Sequence, residues 1–236
     1  MQEHTVRSYS EELRRLREMI ARMGGLAERQ VADATIALVR RDSDLASEVM
    51  GRDAAIDALE REIEAYCIRI LALRQPVGQD LRLIVASLKI SHELERIGDY
   101  ARNAAKRSLV LAQQPPLGSL NGFQRMANLV QANLKDAIDA LVNDDAAKAD
   151  EVWAADVPID EVYNGIFREM LTFMMEDPRN ITAATHLLFV AKNLERIGDH
   201  ATNIAEKVHY AVRGEAMLED RPKADVSASA VIRPPN

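Results

Sequence analysis

Apolar residues recur every three to four positions along nearly the whole chain, which is the spacing of amphipathic helices. A first helix is predicted from about Ser8 to Arg41, with Leu13, Leu16, Ile20, Met23 and Leu26 on one stripe and Gly24-Gly25 loosening its middle. Asp42-Ser43-Asp44 supplies cap-type residues, and a second helix continues through Val49, Ile56, Leu59, Ile63 and Ile70. Gln75-Pro76 stops it, because the residue before a proline resists the α region. A third helix runs from about Gly78 to Gln113, carrying Leu81, Ile84, Val85, Leu88, Leu94, Ile97 and Leu109. Pro115-Pro116-Leu117-Gly118 then marks a linker.

The same order returns. A fourth helix is expected from about Gly122 to Val142, a break at Asn143-Asp144-Asp145, a fifth helix from Ala146 to Met175, a stop at Asp177-Pro178, and a sixth helix from Arg179 to Arg213. The expected fold is therefore all-α, two tandem three-helix bundles related by an internal repeat, over residues 1–114 and 119–213. Residues 214–236 have turn formers and no sustained period, and read as a disordered tail.

The repeat extends to chemistry. His92-Glu93-Leu94-Glu95-Arg96-Ile97-Gly98-Asp99 returns about 100 residues later as Lys192-Asn193-Leu194-Glu195-Arg196-Ile197-Gly198-Asp199, and each copy is followed by an asparagine, Asn103 or Asn203. On the preceding helices, Asp53-Ala54-Ala55-Ile56-Asp57 is echoed by Asp156-Val157-Pro158-Ile159-Asp160. Residues four apart on a helix are only about 40° apart around its axis. Glu95, Asp99 and Asn103 therefore form a ladder of oxygens, as do Glu195, Asp199 and Asn203, with shorter ladders at Asp53/Asp57 and Asp156/Asp160. Like charges at this spacing destabilise a helix by a few tenths of a kcal/mol, a cost a bound cation would remove. Relative to the apolar stripes these acids fall at the border, so they are expected on the rim of each bundle, partly open to solvent.

Gly98 and Gly198 stand beside the acid in both copies, although glycine costs about 1 kcal/mol against alanine inside a helix. Close helix approach, or room for a bulky centre, would account for them. The simpler reading is a solvated face whose acids are neutralised by Arg96 and Arg196, worth roughly 0 to 1 kcal/mol. Duplicated acid pairs with duplicated glycine and asparagine favour the metal. Oxygen-only ligation suits magnesium, manganese, calcium or iron over soft metals.

Composition narrows the function classes. A net charge of −7 argues against a general nucleic-acid binder. Cys67 is the only cysteine, so no internal disulfide can form, and its apolar surroundings mark it as a buried structural residue. The first residues lack the apolar core of a signal peptide, and no stretch approaches a membrane span, so a cytoplasmic protein is expected, meeting membranes only through partners.

These motifs resemble the PhoU family. Its pattern is E-R-[IL]-G-D-x-x-x-N on the third helix of each half and D-x-x-[IV]-D on the second, and the opening from His4-Thr5 through Glu12-Leu13 to Met23-Gly24 and Ala27-Glu28 is also similar. The resemblance covers residues 4 to about 212. It implies multinuclear clusters of divalent or ferric ions, whether iron, manganese, magnesium or zinc, on Asp53, Asp57, Glu95 and Asp99 in the first half. In the second half the implied ligands are Asp156, Asp160, Glu195 and Asp199, with Pro158 expected to start a turn or kink the helix beside Asp156. The implied role is negative regulation of phosphate uptake and signalling, linking the ATPase subunit of a phosphate ABC transporter to a phosphate-sensing histidine kinase. Homo-oligomerisation is left open.

Two other readings compete with this one. A ferritin-like di-metal protein needs two Glu-x-x-His elements, and the chain has only Glu206-Lys207-Val208-His209. A purely structural helical adaptor would bind nothing on its acids. His92, His186 and His200 lack counterparts in the other half and are not expected to be ligands. No phosphate-binding loop or nucleophile–base pair is present, so no catalysis is expected.

Overall fold

The computed structural model describes residues 2–217 and 224–225, with side chains from residue 8 onward. Among them there are seven α-helices, one short 3₁₀ turn and no strand. These are α1 (Gln2–Arg40), α2 (Ser43–Arg74), α3 (Gly78–Ala112), α4 (Asn121–Val142), α5 (Ala146–Ala154), α6 (Val157–Glu176) and α7 (Ile181–Arg213), with the turn at Pro178–Asn180.

The turns between helices are repeated down to their backbone. After α1 and after α4 a residue takes the left-handed conformation, Arg41 at φ 57° and Asp144 at φ 51°. In each case the next residue's N–H reaches back to the helix: Asp42 to the Ala37 carbonyl and Asp145 to the Ala140 carbonyl, both at 2.9 Å. The same aspartates then cap the next helix, Asp42 accepting from the Leu45 N–H at 2.9 Å and Asp145 from the Lys148 N–H at 3.0 Å. Two helix ends of the same design, in the same order, are what duplication of a three-helix unit requires.

α1, α2 and α3 pack as one bundle, and α4, α5–α6 and α7 as the other; α3 lies along α7 and α1 along α4 to join them. The stripes on α1 and α2 are core as expected, with Leu13, Leu16, Ile20, Met23, Val49, Ile56, Leu59, Ile63 and Ile70 buried. On α3, Leu81 and Leu88 are exposed instead. The buried face of that helix also takes in Ser87, Ser91, Ala101, Ala104, Ala105 and Ser108, small residues that allow close approach but carry little hydropathy signal. Cys67 is buried, donates to the Ile84 carbonyl at 3.7 Å, and its thiol is pushed up to about 12 by burial.

Two expectations change. The fifth helix is not continuous: it ends at Ala154 and restarts at Val157, with Asp156 as the cap position and Pro158 in the first turn. A proline lacks the N–H that an interior position would donate, so the break falls where the first turn can accept it. Conversely, Gly24-Gly25 does not loosen α1, which runs unbroken. A Cβ on Gly24 would lie 2.8 Å from Ile138 of α4, so this glycine admits the other bundle, whereas Gly25 faces open space. Of the tail expected over 214–236, all but 214–217 and 224–225 lies outside the described residues, and Ala224 and Asp225 are hydrogen-bonded to α6 and α7.

The pair gives a direct check. Gly24→Val should destabilise by about 1–3 kcal/mol through overpacking of the α1–α4 contact, while Gly25→Ala should stabilise by roughly 0.5–1 kcal/mol through helix propensity. Urea unfolding of both variants measures this; equal effects would show that Gly24 is not a contact residue.

Candidate functional site

The eight acids lie on facing helices, α2 with α3 and α6 with α7. Their depth differs from the rim expected for them. Asp53 is 4%, Asp156 2%, Asp160 3% and Glu195 4% exposed, whereas Asp57, Glu95, Asp99 and Asp199 are half-buried. The glycines explain the difference. A Cβ on Gly98 would come within 2.9 Å of Ile56, and one on Gly198 within 3.1 Å of Ile159. Their absence lets the two helices of each pair close over the first aspartate, and glycine thus serves close approach.

In the first half, Asp53 is reached from three sides. Gln30 of α1, itself buried, donates to Asp53 Oδ1 at 3.2 Å and to the Gly98 carbonyl at 3.2 Å. Arg102 bridges Asp53 Oδ2 at 2.8 Å and Asp99 Oδ1 at 2.9 Å. Arg102 is thus the main neutralising cation, while Arg96 stands 3.5 Å from Asp99 and lies over the Tyr100 ring. Burial pushes the Asp53 carboxyl above its usual range, against the pull of Arg102 and Gln30 and with the help of Asp57 and Asp99. Glu95 is pushed up by burial and then by Asp99 and Glu60.

Glu95 also belongs to a second grouping. Glu60, His92 and Glu95 each offer a ligand atom within 4.8 Å of the others, and His92 Nδ1 lies 3.2 Å from Glu60. Glu60 was absent from the sequence candidates and His92 was set aside among them. The available signal was that Asp53, Asp57 and Glu60 follow the i, i+4, i+7 spacing of one helix face.

The second half has the same acids but different neutralisers. Lys192 Nζ donates to Glu195 Oε1 at 2.9 Å, and Thr202 replaces Arg102 in the repeat, its hydroxyl donating to the Gly198 carbonyl at 3.2 Å. Glu195 Oε2 is buried with no hydrogen-bond partner, and burial raises the Glu195 carboxyl, opposed by Lys192 and assisted by Asp199. Asp160 accepts two backbone N–H groups, from Ala224 at 2.8 Å and Asp225 at 3.0 Å.

The asparagines depart from their ladders. Asn103 is exposed, and Asn203 donates to Glu93 of the other repeat at 3.2 Å, beside His200 at 2.5 Å from the same oxygen. Each step of four residues drifts about 40° around the helix, so the third rung has turned away from the acids. His209, of the single Glu-x-x-His element, faces Asp150 at 2.6 Å.

The donor chemistry fits a hard cation: carboxylates taken out of water, raised in pKa, one with an orphaned buried oxygen. The sign of the pH dependence follows. A raised carboxyl keeps its proton longer in the fold than in the unfolded chain, so in metal-free protein it costs nothing at low pH and becomes destabilising as pH rises through both values. Glu195→Gln removes that charge. Its melting temperature in chelator should exceed the parent's by roughly 2–4 °C near neutrality, the gap closing as pH falls into the ordinary carboxylate range. A gap that widened at low pH would reverse the assignment.

Comparison with known proteins follows the same residues. A family profile described as the PhoU domain matches residues 20–108 and 123–208. The "Phosphate-specific transport system accessory protein PhoU homolog" of Caulobacter vibrioides is 55% identical over 227 residues, covering 96% of this chain and 99% of that protein. The one from Rhizobium meliloti is 44% identical, covering 96% of both. The crystal structure of PhoU from Pseudomonas aeruginosa superposes with a TM-score of 0.83 at 42% identity, over 88% of this chain and all of that one. The phosphate transport system regulatory protein PhoU of Streptococcus pneumoniae gives a TM-score of 0.82 at 28% identity, over 89% of this chain and 99% of that one. Matched twice along its length, this chain belongs to the PhoU family.

Proposed function

We propose that the protein is a metal-binding regulator of phosphate transport and phosphate signalling. The observation that carries the transport role is the near full-length similarity to proteins named as accessory to a phosphate-specific transport system. In this reading it acts negatively, coupling the ATPase subunit of the transporter to a phosphate-sensing histidine kinase on the cytoplasmic side. No helix among the described residues is long and apolar enough to cross a membrane, which fits a protein that reaches the bilayer through its partners. It carries out no catalysis.

The metal reading is supported by the buried, pKa-raised carboxylates. Asp53, Asp57, Glu95 and Asp99 would hold ions in the first half, with Glu60 and His92 adjoining; Asp156, Asp160, Glu195 and Asp199 would hold them in the second. Bound cations would cancel the like-charge repulsion along each helix and tie α2 to α3 and α6 to α7. A second reading has specific support: Arg102 and Lys192 already place protein cations among the acids, as a purely structural adaptor would. The ferritin-like alternative lacks a second Glu-x-x-His and its one histidine is engaged by Asp150.

Two experiments test these statements. Asp99→Ala combined with Asp199→Ala should lose bound metal by elemental analysis, and added manganese or ferric ion should raise the melting temperature of the parent but not of the variant. Equal metal content and equal shifts would leave the adaptor reading. Separately, a strain lacking the gene should express phosphate-responsive genes in phosphate-rich medium, read by a reporter fusion. Normal repression there would contradict the regulatory role.

A further inference from the structure

The two acid sets are matched in their acids and unmatched around them. In the repeat, Glu60, Arg61 and His92 correspond to Tyr163, Asn164 and Lys192. Two of these second-half residues, Asn164 and Lys192, meet one short piece of chain, and Tyr163 backs Lys192. Asn164 Nδ2 donates to the Ala224 carbonyl at 2.8 Å, and Lys192 Nζ donates to Asp225 Oδ2 at 3.0 Å while holding Glu195 Oε1 at 2.9 Å. The Lys192 ammonium sits over the Tyr163 ring, 5.0 Å from its centroid. The N–H groups of Ala224 and Asp225 converge on one oxygen of Asp160, a carboxylate 3% exposed.

Two N–H donors on one carboxylate oxygen, and an ammonium on its neighbour, supply what a cation would supply. Asp160 Oδ2 cannot accept both N–H groups and ligate an ion. We propose that Ala224 and Asp225 form a built-in strap over the second acid set, excluding cations from it until these two residues are displaced. Among the described residues no backbone N–H covers the first set: Glu60 and His92 offer ligand atoms there, and His92 stands where Lys192 receives the strap. The two repeats therefore differ in function: in the first a cation competes only with the half-exposed Arg102 side chain, and in the second it must also displace the strap. This inference rests on the cation reading of the acid sets, and the apparent affinity of the second set scales with the fraction of molecules whose strap is lifted.

The gating test is manganese(II) titration followed by electron paramagnetic resonance. It compares the full chain, a chain ending at Met217, and Asp225→Ala, all in a background of Asp53→Ala, Glu95→Ala and Asp99→Ala so that the second set alone is counted. Removal of the strap should tighten manganese binding tenfold or more, with Asp225→Ala between the two. Unchanged affinity on removal overturns the gate. The contact itself is read without metal, by amide exchange at Ala224 and Asp225 in the chelated full chain. Slow exchange there, accelerated at least tenfold by Asn164→Ala, supports the strap, and fast exchange in the parent overturns it. Slow exchange with no manganese uptake in either chain overturns the cation reading and the gate together, while leaving the contact standing.

Discussion

A carboxylate withdrawn from water must be given donors or a cation, and in this protein that demand is met differently in each half. Closing α2 on α3 and α6 on α7 buries Asp53, Asp160 and Glu195, and each closure is possible because a glycine stands where a side chain would strike the facing isoleucine. An isolated buried charge is costly by several kcal/mol. The first half answers with Arg102 and Gln30, the second with Lys192 and two backbone N–H groups. The acids were kept and their counter-charges were exchanged.

The seam between the bundles is built from the same two helices that carry the acids. α3 and α7 lie along each other, and Glu93 of one reaches His200 and Asn203 of the other. Burial pushes the Glu93 carboxyl up, but the hydrogen bonds from His200 and Asn203 outweigh it and hold the carboxyl below its usual range, so it remains charged across the seam. The helix whose inner face carries Glu195 and Asp199 thus has its other face bound to the opposite repeat.

Much of this was legible in the sequence. The all-α class, the breaks after the first and fourth helices, the repeat and the acid spacing are all local patterns, and local patterns survive in a single chain. The runs 42–44 and 143–145 could be placed because a helix end is decided by a few consecutive residues. Depth could not: Asp53 looked peripheral on its own helix because its burial comes from Ile56 meeting Gly98 and from Gln30 on a third helix. Pro158 signalled a disturbance beside Asp156 but not that α5 and α6 would part. Glu60 with His92, Arg102 with Asp53, and Asp160 with Ala224 are pairings between helices or across long separations, and no periodicity announces them. Leu81 and Leu88 misled for the complementary reason, since small serine and alanine residues took the buried face that hydropathy assigned to leucine.

On α3 and α7 the acids sit almost at the helix midpoints: Glu95 within Gly78–Ala112 and Glu195 with Asp199 within Ile181–Arg213. At 1.5 Å per residue, each helix extends roughly 25 Å on either side of that point. A bundle clamped at its centre is a lever with a central fulcrum. A tilt of about 5° there would carry the helix ends roughly 2 Å in opposite directions over those arms. Any change of angle at the middle of the molecule is therefore largest, as displacement, at its two ends.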